Sequence, residues 1–100
     1  MGTAVNQFVK DTIAKLEKAP ANGSITIDTE IWTCFNRAAI EALKNRQDVE
    51  VTVNFMYKGT KYTFTIPAGY GEEQLDELPD ENGYCGFMYL LSVFNGHSLS

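Results

Sequence analysis

Residues 49 to 67 read VEVTVNFMYKGTKYTFTIP, two runs in which apolar and polar side chains alternate, joined at Lys58-Gly59. A period of two on both sides of a turn is the signature of a β-hairpin. A two-residue loop at Lys58-Gly59 sets Tyr57 opposite Thr60, Phe55 opposite Tyr62, Val53 opposite Phe64 and Val51 opposite Ile66. Alternation then gathers Val51, Val53, Phe55, Tyr57, Tyr62, Phe64 and Ile66 on an inward face. Glu50, Thr52, Asn54, Met56, Lys61, Thr63 and Thr65 fall on the outward one. A slip of one residue would expose the whole apolar set, so the register is strongly specified. Gly59 suits the positive φ of a tight turn, while Lys58 is an uncommon first turn residue, which leaves a longer bulged loop open.

Upstream of the hairpin, Ser24 to Asp28 alternates with Ile25 and Ile27 on one side and predicts a short strand. A helix is expected to follow, capped by Asp28 or Thr29, with Ile31, Phe35, Ala38, Ala39, Ala42 and Leu43 as its buried stripe, ending near Asn45. An earlier amphipathic helix, capped by Thr3, carries Val5, Phe8, Val9, Thr12, Ile13 and Leu16 and stops by Ala19, ahead of Pro20. Two sheet orders satisfy this succession. Either the first strand pairs directly with Val49 to Tyr57, or the returning strand Thr60 to Ile66 lies between them as a split β-α-β unit, and the second is the favoured expectation.

Downstream, AGYGEEQLDELPDENG holds six acids between Glu72 and Glu81, with Tyr70, Leu75 and Leu78 to anchor it. A short helix over 72–78 and a turn at 80–83 fit this composition. Phe87, Leu90, Leu91 and Phe94 recur at helical spacing before Asn95-Gly96, predicting another amphipathic helix, and 97–100 reads as a tail. The expected architecture is a single α+β domain over 1–100, ordered from about residue 3 to 95. Its elements run α-β-α-β-β-α, with a three-stranded sheet containing the 49–57/60–66 hairpin and helices packed on one face.

One hundred residues, 44% of them hydrophobic, suffice for one core, and no second composition block suggests two domains. A formal charge of −5, with eight scattered Lys and Arg, speaks against a nucleic-acid partner. No apolar run reaches the roughly 18 to 20 residues of a membrane span, so no membrane insertion is expected. The first residues, MGTAVNQFVKDTIAKLEK, contain neither a basic n-region nor an apolar h-region, so no signal peptide is expected among them.

Chemistry-bearing residues are few. Cys34 and Cys85 suit one disulfide or two packed thiols. A thiol enzyme needs a base, and the lone histidine, His97, lies in the expected tail. Zinc is disfavoured because Cys34, Cys85 and His97 are widely spaced singles. For calcium, placing Gly83 at the glycine of an EF-hand loop puts Leu78 at the first ligand position and Tyr89 at the twelfth, leaving only an irregular site drawn from Asp76, Asp80, Glu81 and Asn82. No catalytic residue, metal or cofactor is therefore assigned. Trp32, Tyr57, Tyr62, Tyr70, Tyr84 and Tyr89 admit a sugar-stacking surface, although aromatic packing accounts for most of them.

The phrases ITIDTEIWTCFNRAAIEAL, VTVNFMYKGTKYTFTIPAG and ENGYCGFMYLLSVF together resemble a small module of secreted or cell-surface modular proteins of gut Firmicutes, over about Ile25 to Phe94. That resemblance implies an extracellular or cell-surface setting and carries no residue roles. The expected function is a non-enzymatic interaction or structural module with a protein or glycan partner. A glycan- or peptide-binding domain is the alternative, and a small thiol-dependent enzyme the weakest reading. Thr52, Asn54, Thr63 and Thr65 on the outward hairpin face are the expected partner-binding residues.

Overall fold

The computed structural model describes residues 7 to 99. The Thr3 cap and Val5 lie outside them. The hairpin forms as its alternation demands: β3 (Glu50–Tyr57) pairs antiparallel with β4 (Thr60–Ile66) in the expected register, from Val51 opposite Ile66 to Tyr57 opposite Thr60. Lys58 and Gly59 both take positive φ, 51° and 83°, the signature of a two-residue type I′ turn, so no bulge is needed.

Three expectations about the sheet are corrected. It has four strands, not three, in the order β1-β3-β4-β6. First, β1 (Ser24–Asp28) lies directly beside β3 and parallel to it, with Ile25 level with Val51 and Ile27 with Val53. The split arrangement is therefore not adopted. Gly23 O accepts from Glu50 N at 3.0 Å and Thr29 N donates to Asn54 O at 2.9 Å, bracketing a complete parallel ladder. Second, the expected tail contributes β6 (His97–Ser98), which occupies the far edge of β4 opposite Tyr62 and Thr63. Third, the element order gains strands that periodicity did not announce, as follows.

The second helix starts later than expected. The Thr29 hydroxyl does accept the N–H groups of Ile31 and Trp32, at 3.2 and 3.0 Å, but this local bond makes a turn and not a helix. The chain continues into β2 (Cys34–Asn36), and α2 spans Arg37–Asn45 with the Asn36 side chain accepting from Ala39 N at 3.0 Å. Ile31, expected in the buried stripe, is 80% exposed, and Ala39, Ile40 and Leu43 are the buried helical residues. β2 pairs antiparallel with β5 (Tyr84–Gly86), setting Phe35 opposite Cys85, and β5 runs straight into α4 (Phe87–Val93). This ribbon, three residues on each side, is too short to show an alternation.

α1 (Gln7–Lys18) and α3 (Glu72–Asp76) complete the set, α3 stopping short of the expected 72–78. All four helices supply side chains to one core, among them Leu16, Ile40, Leu43, Leu75, Phe87 and Leu90, against the inward residues Val51, Val53, Phe55, Phe64 and Ile66. Phe87, the first residue of α4, is its hub: its ring lies 4.8 Å from Phe35, 5.2 Å from Phe55 and 5.8 Å from Phe64, at the inclined angles aromatic pairs favour. The end of α4 is clamped to the sheet. Asn95 takes φ 54°, Gly96 N donates to Leu91 O at 2.7 Å, and this is the Schellman closure. A Cβ on Gly96 would lie 2.5 Å from Thr63 O, so only glycine lets the chain turn from α4 into β6 here.

Two cations hold the periphery. Arg46 donates to both Asp48 oxygens at 3.1 Å and to the carbonyls of Leu16 and Pro20, tying the end of α1 to the end of α2. Lys44 bonds Asp76 at 2.7 Å and Glu41 at 3.3 Å, linking α2 to α3. Among the described residues no helix is long and apolar enough to cross a membrane.

Candidate functional site on the open sheet face

With the helices drawn to the inward side, the opposite face of the sheet is left to polar side chains arranged in cross-strand rows. Parallel pairing of β1 with β3 and antiparallel pairing of β4 with β3 and β6 align Asp28, Asn54, Thr63 and His97 in one row and Thr26, Thr52 and Thr65 in the next. The four residues expected to bind a partner, Thr52, Asn54, Thr63 and Thr65, are thus neighbours on one surface, each half-buried among the others.

The rows are wired. Asn54 Nδ2 donates to Asp28 Oδ1 at 2.8 Å, Thr63 Oγ1 donates to Asn54 Oδ1 at 2.6 Å, and the Thr52 and Thr65 hydroxyls share a bond of 3.0 Å. These contacts fix the Asn54 amide in one orientation, because its oxygen must face Thr63 and its nitrogen Asp28. One amide hydrogen of Asn54, one Asp28 oxygen and the lone pairs of Thr63 stay available to an outside group. Of the Thr52–Thr65 pair, one hydroxyl keeps its hydrogen for an acceptor beyond the protein. The face therefore presents donors and acceptors in set positions, with little side-chain entropy left to lose on binding.

At the rim, the chain after β1 and the residues after β6 wall a cleft of about 140 Å³ lined by Asp28, Glu30, Met56, Lys61 and Leu99. Asp28, expected as a helix cap, and His97, expected in a tail, were not anticipated in this row. Asp28 resembles a helix cap, and only its parity with Ser24 and Thr26 places it on the polar side. His97 follows a helix stop, and no local signal announces a two-residue strand.

The other candidate chemistries are placed elsewhere. Cys34 and Cys85 are free thiols in the β2–β5 ribbon, one residue out of register, so that they point to opposite sides of it. Burial, with Cys34 and Asp80 nearby, pushes the Cys85 thiol up to about 12, and burial raises Cys34 as well. Both are held as neutral thiols at physiological pH. Asp80, from the acidic stretch, uses Oδ1 to accept the N–H groups of Asn82 and Tyr84 at 2.8 and 3.0 Å, so it orders a turn. Among the described residues no three His, Cys, Asp or Glu side chains converge as metal ligands.

The aromatic residues divide. Tyr62 stacks on Phe55 at 5.6 Å and Tyr70 meets Phe94 edge-on at 4.8 Å. Tyr57, expected inward, is exposed where it flanks the turn opposite Thr60, with Lys58 Nζ 5.4 Å from its ring centre. Tyr84 and Tyr89, 50% and 53% exposed, flank a separate cleft of about 360 Å³ with Pro79 and Gly86. Comparison of the chain with protein-family models, curated proteins and solved structures finds no match.

Proposed function

We propose that this protein is a non-enzymatic interaction or structural module of an exported or cell-surface protein, and that it meets a protein or glycan partner through the open sheet face. The observation that carries this reading is the hydrogen-bonded ladder Asp28–Asn54–Thr63 beside Thr52–Thr65. Cross-strand pairs of this kind stabilise the sheet itself, and the fixed positions they give these donors and acceptors also lower the ordering cost of binding a partner. Neutral thiols, set apart from the histidine strand, supply no nucleophile and base pair for a thiol enzyme. The exported setting rests on the resemblance to surface modules.

Amide chemical-shift mapping against panels of soluble glycans and extended peptides tests the proposal. Perturbations are expected to centre on Thr52, Asn54, Thr63 and Thr65, and Asn54→Ala with Thr63→Val is expected to weaken the binding by about tenfold. Perturbations confined to the Tyr84 and Tyr89 cleft would instead favour a second reading, a glycan- or peptide-binding domain that stacks its ligand on those two exposed rings.

A further inference from the structure

We infer that the free edge of β1 is a docking site for an extended, acidic segment of a partner protein, which joins the sheet as a fifth strand. This inference concerns a different surface from the open face and stands independently of it. In the β1–β3 ladder, Gly23 O, Thr29 N and the residues between them at odd positions face β3. The N–H and C=O groups of Ser24, Thr26 and Asp28 therefore point away from the sheet, and among the described residues none of these backbone groups has a partner. Natural edge strands are commonly blunted by proline, a bulge or charged side chains; SITID carries no proline and no bulge, and its one charge, Asp28, stands at the strand's end and accepts from Asn54 Nδ2.

Beside this edge runs an open groove of about 510 Å³, walled by Asp11, Ala14, Lys15 and Lys18 of α1 and floored by Ile25 and Thr26. Lys15 and Lys18 make no ion pair among the described residues, in contrast to Lys44 and Arg46, which are both engaged by carboxylates. A strand added at Ser24 to Asp28 would direct alternate side chains toward α1, and carboxylates at those positions would meet the two lysines. Main-chain bonds supply the affinity and the lysines supply the preference for acid.

The probe is a blocked hexapeptide, acetyl-Glu-Val-Glu-Val-Glu-Val-amide, titrated into the full chain and followed by amide shifts and amide hydrogen exchange. Binding is expected to slow exchange at Ser24, Thr26 and Asp28. Thr26→Pro removes an N–H that the fold does not use, so the melting temperature should hold while binding falls at least about tenfold. Lys15→Glu with Lys18→Glu should cut binding at least about fivefold and favour the lysine counterpart, acetyl-Lys-Val-Lys-Val-Lys-Val-amide. Thr63→Val, on the open face, should leave it unchanged. The inference is overturned if the peptide does not slow these three amides, if Thr26→Pro binds as well as the parent, or if the edge is already closed by a second copy of this chain in sedimentation.

Discussion

Gly86 shows how much a single position can be read for. It is the N-cap of α4, at φ −69° and ψ 140°, a conformation open to any L-residue, and it makes no side-chain cap bond. A Cβ there would meet nothing within 4 Å. Serine at this site would restrict the unfolded chain and supply an acceptor to the first turn. Gly86→Ser is therefore expected to stabilise the fold by about 0.5–1 kcal/mol, seen as a rise of a few degrees in melting temperature. No gain, or a loss, would mean that this position is constrained by something other than the helix start. Gly96 is the opposite case, since Thr63 O stands 2.5 Å from its missing Cβ. Residue identity alone does not separate the two glycines, because what differs is the neighbour each one faces across the fold.

At the scale of elements, hairpin and helix faces were legible wherever periodicity ran long enough to count. The hairpin register, the α1 stripe through Val9, Thr12 and Leu16, and the stop at Asn95-Gly96 all follow from spacing. The β2–β5 ribbon was not, because Cys34-Phe35-Asn36 also fits a helical stripe and its strand state depends on a partner fifty residues away. Tertiary pairing overrode local preference there. The Arg46–Asp48 latch was equally hidden, since its acceptors at Leu16 and Pro20 belong to another element. It makes a pH prediction. The hydrogen bonds from Arg46, and then the Asn22 N–H, hold the Asp48 carboxyl well below the ordinary carboxylate range. A carboxyl depressed in the folded state contributes stability above its unfolded value near pH 4 and loses it as the pH falls further. Melts of the parent and Asp48→Asn should thus differ by a constant amount above about pH 5 and converge progressively below about pH 4. A gap undiminished at the acid end would show that the latch does not act through the charge.

On the scale of the whole molecule, the order β1-β3-β4-β6 determines what is open and what is closed. It makes β3 a central strand, paired on both sides, covers the far edge of β4 with β6 at Tyr62 and Thr63, and among the described residues leaves β1 as an unpaired edge beside a polar face. Sequence located the outward residues Thr52, Asn54, Thr63 and Thr65, because alternation reports the face of a strand. It could not report which strand is the neighbour of which, because both sheet orders bury the same Ile25, Ile27, Val51 and Val53. Asp28 and His97 joined the polar row only once the neighbours were known. Both proposed surfaces depend on that order, and residue-resolved amide hydrogen exchange of the free protein tests it most directly. The structure predicts slow exchange at every β3 amide from Val51 to Phe55, and an alternation in β1 with Ile25 and Ile27 slow and Ser24, Thr26 and Asp28 fast. Fast exchange at Thr52 and Asn54, or protection of Thr26, would contradict it.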